Sequence, residues 1–580
     1  MRLLLIGCVG LALITPSVSP AGLTRAPEPA VTARTLAILE EAEPDLKVWV
    51  YFTDKNILSS ADYEARIDQV AAGFAPHARD RRRRAMGSDL ADFRDIPVHA
   101  PYVRELAACG ARIVHESRWL NAVSVRAPRT VLRAIADLPF VCRLVPVGRG
   151  RSIRPRTSPG QPPMIRERYD YGPSHDQLEE IGVIDAHDSG LSGAGVVVAM
   201  MDTGYNWEHP AFADVVAEGR ILAQWDVIND DGETQDEPGD PEFQHAHGTM
   251  CWSLVGGFEE GELIGAAYGA SFLLAKTEDT SDETPIEEDH WVAAMEWADG
   301  LGADIISSSL AYILWYQYSD MDGDTAVTTI AADVAASRGI VVCTAAGNYG
   351  TQDWYYIGAP ADGDSVIAVG ATRPDGELWD DSSHGPTYDG RIKPEVVARG
   401  DNNYCAIPWG FGHGDPAWYH QTSGTSVSTP LVAGAAALIL EAHPSWSAMM
   451  VREALMLTAD NAHDPNNDRG WGRIDVMAAL DHFPPSAVAL ASDGVLQLAA
   501  SPNPARGEGG VTFALPGGRG WLALFTSEGR CVRRHQPPID ARTWFWDGRD
   551  QEGRPLGAGV YLARWQAGLK WGAARVVLHR

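Results

Sequence analysis

Four short apolar runs, separated by stretches that suit helices, are the feature of this sequence that most limits its fold. They are VVVAMM (196–201), SFLLAK (271–276), ADIISSSL (303–310) and GIVVCTAAG (339–347). Parallel strands that are joined by helices are buried on both faces and have continuous apolar sequence of this kind. We therefore predict an α/β domain over residues 169–482, with a parallel sheet and helices on both of its faces.

Two regions of different composition flank this domain. Residues 22–147 end in a strand-like, helix-like, strand-like order and are predicted to form a small α/β unit. Residues 148–168 are rich in Arg, Pro, Ser and Gly without an apolar period, which predicts an exposed linker of the kind that proteases cut. Glycines, aromatic residues and alternating patterns such as VTFALP predict a small β-sandwich over residues 487–580.

The first 21 residues have the composition of a secretory signal peptide. One positive charge precedes an apolar run from Leu3 to Ile14, and the small residues Ser19 and Ala21 follow. The run is shorter than the about 20 apolar residues that cross a bilayer, and we expect no later segment to be long and apolar enough to cross one. A lipoprotein cleavage box ending at Cys8 is the alternative, although it leaves almost no apolar run before the cysteine. We expect a secreted protein, extracellular or at the cell surface, that is not an integral membrane protein.

The formal net charge of −30 over 580 residues argues against a nucleic acid partner, because phosphate binding needs clustered basic residues. One basic run, Arg81 to Arg84, is interpreted as a solvated helix face in preference to a processing or anion site. The seven cysteines are widely spaced, and Cys251 and Cys343 are predicted to be buried thiols because their surroundings are apolar.

Three short motifs place reactive side chains at predicted strand or helix ends. Asp202 directly follows VVVAMM, and open parallel sheets form their sites at the carboxyl ends of strands. His247 precedes a helix-compatible stretch that Gly248 allows to start tightly, and His245 is a competing imidazole. Ser426 lies at the N-terminus of a predicted close-packed helix, where the dipole and free N–H groups favour developing negative charge.

Together these residues supply the parts of a nucleophilic mechanism. A serine attacks a carbonyl poorly unless a base takes its proton, and a carboxylate orients that base. Ser426, His247 and Asp202 supply one group of each kind. Asn348, after the strand GIVVC, supplies an amide that can donate to the oxyanion together with the Ser426 N–H. Each motif alone is weak, because such residues also cap turns or fill ordinary loops.

The motifs Asp202 to Gly204, His247 to Thr249, Ala346 to Asn348 and Gly424 to Pro430 resemble, in this order, those of the subtilisin-like serine proteases. The resemblance implies a subtilisin-like parallel sheet and a serine endopeptidase that hydrolyses peptide bonds of proteins or peptides through an acyl-enzyme. It also implies that the chemistry requires no cofactor.

The same resemblance implies where substrate binds. A strand that pairs with extended peptide, and the walls of the main specificity pocket, are formed by Ser309, Leu310, Ala311, Ala345, Ala346 and Gly347. Ala311 stands where the family pattern has glycine, and Tyr312 adjoins it, so we predict no preferred side chain.

The flanking regions also resemble parts of the family's precursors. Residues 22–147 resemble a propeptide that assists folding and inhibits the enzyme until it is cut, so self-processing in the 148–168 linker is expected. The last domain resembles immunoglobulin-like C-terminal domains of secreted bacterial enzymes, through SPNP (501–504), WDGR (546–549) and GVY (559–561). Such a domain is either a sorting signal for export machinery or a spacer that adds stability.

Subtilisin-like enzymes often bind structural calcium, and two acidic stretches offer carboxylates for it. Asp226 to Glu242 contains eight carboxylates, and Asp320 to Asp324 has alternating aspartates. Neither stretch has the full twelve-residue loop that ends in glutamate, and acidic runs usually face water. The sequence therefore predicts no location for a metal ion.

Two alternatives to a broad endopeptidase remain. A dedicated maturation protease of narrow specificity shares every motif with a broad one, so only a substrate profile separates them. An inactive binding protein is disfavoured because Asp202, His247, Asn348 and Ser426 are all intact.

Overall fold

The computed structural model describes residues 46–146, 169–281, 283–411 and 418–482 and, with short gaps, 498–579. The predicted signal peptide and the predicted linker lie outside these described residues. The chain forms two compact units. One contains a four-stranded and a seven-stranded sheet, and the other contains the strands that follow residue 498.

The N-terminal region forms an antiparallel sheet in the order β2-β3-β1-β4, with helices on one face. Successive side chains of β1 point to opposite faces of the sheet, so they pack into two different cores. Val48, Val50 and Phe52 pack within the region itself, whereas Trp49 and Tyr51 join the core of the seven-stranded sheet. The elements are β1 (Leu46–Phe52), α1 (Ser60–Gly73), α2 (Pro76–Met86), α3 (Ala100–Ala108), β2 (Arg112–Ser117), β3 (Ala122–Ala127), α4 (Arg129–Ala136) and β4 (Val141–Pro146).

The central domain is built on a parallel sheet of seven strands in the order β13-β12-β11-β10-β5-β9-β6. The strands are β5 (Val197–Asp202), β6 (Ile221–Asp226), β9 (Ser271–Lys276), β10 (Ile305–Ser308), β11 (Val341–Ala345), β12 (Ile367–Thr372) and β13 (Val396–Arg399), with short pairs β7 (Phe258–Glu259) and β8 (Leu263–Ile264), and β14 (Asn403–Ala406) and β15 (Tyr419–Thr422). The four apolar runs that predicted the sheet form β5, β9, β10 and β11, so the predicted α/β domain with a parallel sheet is confirmed.

Helices cover this sheet and carry two of the residues that the motifs singled out. They are α5 (His175–Glu179), α6 (Val183–Asp188), α7 (Ala213–Ala217), α8 (Ala246–Gly256), α9 (Ile286–Leu301), α10 (Val327–Ser337) and α11 (Thr425–Ala442). Two further helices, α12 (Ala448–Thr458) and α13 (Val476–Asp481), follow α11 in the chain. His247 lies in the first turn of α8, and Ser426 lies in the first turn of α11.

Helix α11 is long and apolar enough to cross a membrane by length and composition, with 18 residues and a mean hydropathy of 1.4. The expectation that no later segment would reach this threshold was therefore wrong. The helix is nevertheless 83% buried within the protein, as the core helix of a folded domain is. Gly434 allows its close packing, because a Cβ there would lie 2.5 Å from the Cβ of Ala266.

The second unit has two sheets that share one core. Val511 and Phe513 from the sheet β16-β18-β21 are buried with Leu522, Leu524 and Trp565 from the sheet β17-β23-β22-β19-β20. This arrangement is the expected β-sandwich. Its strands are β16 (Ala499–Ser501), β17 (Ala505–Arg506), β18 (Val511–Ala514), β19 (Trp521–Thr526), β20 (Cys531–His535), β21 (Thr543–Trp546), β22 (Gly559–Ala567) and β23 (Lys570–His579).

The interpretation of Arg81 to Arg84 as a solvated helix face was wrong for its first two residues. Arg81 and Arg82, on α2, are buried with relative exposures of 1% and 0%. Both guanidiniums bind the carboxylate of Asp299 on α9, and Arg82 also donates to Asp95 at 2.8 Å and 3.1 Å. Buried charge is tolerated here because each guanidinium meets a carboxylate. Arg83, by contrast, is exposed in a pair with Asp80.

Candidate active site

Asp202 and His247 meet where strand β5 ends and helix α8 begins. The His247 Nδ1 lies 2.6 Å from the Asp202 Oδ1, which also accepts the Thr203 N–H at 2.7 Å. Gly248 makes this approach feasible, because a Cβ there would collide with the Gly204 carbonyl oxygen. Asp202 is buried, whereas the imidazole keeps 25% of its side-chain surface exposed. His245 points elsewhere, because its Nδ1 accepts the N–H of Asp236.

The contact with Asp202 determines the charge and tautomer of the imidazole. Burial opposes protonation, but the neighbouring carboxylate outweighs it, so the pKa of His247 is raised well above 6.5. In the neutral ring the proton sits on Nδ1, where Asp202 accepts it. The Nε2 lone pair is then available as a base.

Ser426 lies beside this pair and is held by three contacts with Ser309 and Cys251. Its hydroxyl donates to the Ser309 carbonyl at 3.2 Å, and its own carbonyl accepts the Ser309 hydroxyl at 2.8 Å. The Cys251 thiol reaches the same Ser426 carbonyl at 3.4 Å and lies 3.9 Å from the His247 Nδ1. Rotation about χ1 of Ser426 is sufficient to turn its hydroxyl away from Ser309 and toward another acceptor.

Asn348 follows strand β11 and faces the start of helix α11. Its amide oxygen accepts both the N–H and the hydroxyl of Thr425, each at 2.9 Å. These bonds fix the plane of the amide, so the NH₂ group is the free end. A Cβ at Gly424 would lie 3.3 Å from the Asn348 Nδ2, and glycine therefore keeps this space open. The site thus presents an amide donor next to a serine at a helix N-terminus.

Sequence reasoning did not assign Cys251 to this site, and it placed Thr425 beside Ser426 without its contact to Asn348. Cys251 is four residues after His247, which is one helical turn, and this spacing was a usable signal. Burial raises the pKa of the Cys251 thiol, which keeps the group neutral. Thr425 also accepts the Gly347 N–H at 3.2 Å, so it ties the Asn348 segment to helix α11. The predicted burial of Cys251 and Cys343 is confirmed.

The residues expected to contact substrate line two segments beside Ser426. Ser309, Leu310 and Ala311 follow strand β10, and Ala345, Ala346 and Gly347 end and follow the adjacent strand β11. Tyr312 turns away from the space between them, because its buried hydroxyl donates to Glu278 at 2.7 Å. The structure therefore brings all six residues to the same edge of the sheet as the serine.

The acidic stretches do not fit a calcium site where they cluster. Asp226, Asp231 and Glu237 group closely, but the buried ammonium of Lys276 lies 2.7 Å from Asp226. That cation already balances the carboxylate and would repel a divalent ion at the same point. In the second stretch, Asp322 accepts the backbone N–H groups of Asp324 and Thr325 and so stabilises a turn.

Comparisons with known families and proteins agree with this geometry. Residues 193–472 match the subtilase family, and residues 47–159 match the Peptidase S8 propeptide domain of Bacteroidota. Subtilisin E of Bacillus subtilis (strain 168) is 33% identical over 306 residues, which cover 52% of this chain and 70% of that protein. Subtilisin DY of Bacillus licheniformis is 34% identical over 292 residues, covering 50% of this chain and 92% of that protein.

A solved structure is similar over most of the chain. The crystal structure of fervidolysin from Fervidobacterium pennivorans, described as a keratinolytic enzyme related to subtilisin, has a TM-score of 0.54 with 19% identity. The match covers 90% of this chain and 70% of that chain. At this identity the likeness concerns the fold.

Proposed function

Since the chain belongs to the subtilase family and is a subtilisin-like serine endopeptidase, we propose that Ser426 is its nucleophile, His247 its base and Asp202 the group that orients the base. The observation that carries this assignment is the 2.6 Å contact between Asp202 and the His247 Nδ1. It leaves Nε2 as the proton acceptor on the side of the imidazole away from the carboxylate.

The proposed reaction follows the chemistry of these groups. The Ser426 hydroxyl passes its proton to the His247 Nε2 while its oxygen attacks the peptide carbonyl. The Asn348 NH₂ and the Ser426 N–H then donate to the oxyanion. His247 returns the proton to the leaving amine, and water releases the acyl group by the same steps. No metal takes part in these steps, and a structural calcium ion would have to bind away from the Asp226 cluster.

We propose that the N-terminal region is the enzyme's own intramolecular inhibitor. Residues 47–159 match a propeptide domain, and β1 adds Trp49 and Tyr51 to the peptidase core. The proposed order is a signal peptide (1–21), propeptide (22–147), linker cut during self-processing (148–168), peptidase (169–482) and β-sandwich (487–580). N-terminal sequencing of the secreted enzyme tests this order, and an active enzyme that begins near Gly22 would contradict it.

The proposed location is outside the cell or on its surface, and protein or peptide substrates are the partners. For the C-terminal β-sandwich we propose recognition by export machinery. Its removal should then leave the precursor unexported while peptidase activity persists. Export of the shortened chain at the normal level would favour the spacer role instead.

Labelling with a serine-directed fluorophosphonate tests the nucleophile. The processed enzyme should be labelled, and Ser426→Ala should not be labelled. Ser428→Ala is the matched control, because Ser428 lies on the same helix with its hydroxyl bonded to the Thr425 carbonyl at 3.0 Å. Persistent labelling of Ser426→Ala, or none in the processed wild type, would refute the proposal. A panel of peptides then separates a broad protease from a dedicated one.

A further inference from the structure

Two groups limit where the attacked peptide carbonyl can lie, namely the Ser426 hydroxyl and the Asn348 NH₂. The hydroxyl contacts the Ser309 carbonyl, so the substrate carbonyl must lie between the Ser309 segment and the Asn348 segment. Ser309 to Ala311 follow β10 and Ala346 to Asn348 follow β11, and these strands are parallel neighbours. The side chain of the residue that carries the attacked carbonyl, here called the P1 side chain, therefore enters the cleft between the two segments.

Tyr349 crosses this cleft. Its hydroxyl donates to the Ala311 carbonyl at 3.1 Å, so the side chain connects the second segment to the first. Its ring lies against its own segment, because a Cβ at Gly347 would be 2.7 Å from the ring. Its backbone is fixed as well, since the Tyr349 N–H donates to the Ser383 hydroxyl at 3.0 Å. The tyrosine is therefore held at both ends.

The Ala311 methyl group narrows the same space. A Cβ at Gly358 would lie 3.2 Å from the Ala311 Cβ and 3.0 Å from the Ile313 Cγ2. Gly358 donates its N–H to the Ala346 carbonyl at 3.1 Å, and the next residue, Ala359, pairs with Tyr312, so this segment bridges the two walls. The methyl groups of Ala311 and Ile313 therefore already occupy the space beside this bridging segment.

We infer that Tyr349 and Ala311 restrict the P1 side chain to small residues, so that the enzyme cleaves after Ala, Ser or Gly in preference to Phe, Tyr or Leu. A large P1 side chain has to displace the ring of Tyr349 and break its bond to Ala311. A small one fits without that change. This inference rests on the proposed role of Ser426 and names the substrate class of the same site.

Fluorogenic peptides that differ only at P1, Ala against Phe, test the inference through kcat/KM. The wild type should prefer Ala by at least about tenfold, because even one methylene in a binding pocket changes discrimination by about 10- to 200-fold. For Tyr349→Ala, the ratio of kcat/KM for the Phe peptide to kcat/KM for the Ala peptide should rise by about tenfold or more. Tyr349→Phe, which keeps the ring but loses the bond to Ala311, should give a smaller rise.

Two further variants make the result unambiguous. Ala311→Gly removes only the methyl group and should also raise the ratio, even if Tyr349→Ala does not fold. Tyr388→Ala is the control, because this tyrosine is 59% exposed on the surface, and its ratio should match the wild type.

Fluorophosphonate labelling distinguishes a wrong nucleophile from a wrong P1 preference. An unlabelled wild type refutes the proposed nucleophile. A labelled wild type that cleaves after Phe as well as after Ala overturns the inference. Labelled Tyr349→Ala and Ala311→Gly variants with unchanged ratios overturn it as well.

Discussion

Thr425 Oγ1 donates a hydrogen bond to Asn348 Oδ1 at 2.9 Å and accepts the N–H of Gly347 at 3.2 Å. The residue before the proposed nucleophile thereby holds the proposed oxyanion donor in place. Because the Thr425 hydroxyl donates to Asn348, we expect it to act on the reaction through that residue.

Thr425→Val should therefore lower kcat with little change in KM. A lost neutral hydrogen bond is worth about 0.5–1.5 kcal/mol, which is about 2- to 12-fold in rate. Thr425→Ser keeps the hydroxyl and should retain most of the activity. Asn348→Ala removes the donor itself, and a roughly 100- to 1,000-fold loss of kcat is expected. Steady-state kinetics of the three variants test whether the Thr425 hydroxyl positions Asn348. Equal losses of kcat in Thr425→Val and Thr425→Ser would exclude this role.

The pH profile should show the effect of Asp202 on His247. Catalysis needs the neutral imidazole, and the pKa of His247 is raised above 6.5 because Asp202 outweighs its burial. The acidic limb of kcat/KM should therefore have its midpoint above pH 6.5. Asp202→Asn should lower kcat by roughly 10⁴-fold and move the limb of the residual activity to lower pH. An unmoved limb in this variant would show that another group controls the profile.

Asp299→Ala should strongly destabilise the precursor. The carboxylate is buried against Arg81 and Arg82, and its loss removes the carboxylate that the buried Arg81 binds and leaves Arg82 with Asp95 alone. Such losses cost about 3–5 kcal/mol. Chemical unfolding of the precursor in a Ser426→Ala background, which prevents self-cleavage, measures the change. Arg83→Ala is the control, because it breaks only the exposed pair with Asp80 and should cost about 0–1 kcal/mol. Similar losses in both variants would contradict the importance of burial.

Acid should weaken the contact between propeptide and peptidase at His290. Burial lowers the pKa of His290 to about 3, helped by the neighbouring His115 and Lys47 and opposed by the Thr277 carbonyl. An unfolded histidine titrates near 6.5, so the unfolded chain binds more protons between these values. The stability due to neutral His290 is present above pH 6.5 and is lost as the pH falls toward 3.

His290→Gln should reduce this acid sensitivity. In the Ser426→Ala background, the thermal midpoint of the precursor should fall more between pH 7 and pH 5 with His290 than with glutamine. Because every other titratable group is the same in both proteins, the difference between the two isolates the histidine. Parallel curves for the two proteins would assign the acid sensitivity to the carboxylates.

Local patterns predicted most of the architecture. Strands buried on both faces have an unmistakable apolar sequence, and Asp202 and Ser426 lie at a strand end and a helix start that composition indicates. The burial of Arg82 could not be predicted in this way. Its partner Asp299 is 217 residues away in sequence, and four consecutive arginines on a helix usually face water.

The path of Tyr349 across the cleft was equally inaccessible to sequence reasoning. The residue directly follows Asn348, but its bond to Ala311 depends on the approach of two chain segments that leave different strands. Family motifs indicate which segments meet. The side chains that close the space between them depend on packing in this particular chain.

Helix α11 carries Ser426 in its first turn and is at the same time one of the most buried helices of the central domain. Many reactive groups sit on loops that open and close without disturbing the rest of the protein. Here the nucleophile cannot leave its position unless the centre of the domain opens. We therefore expect heat inactivation to coincide with unfolding of the core, so that the rate of unfolding limits the enzyme's working lifetime.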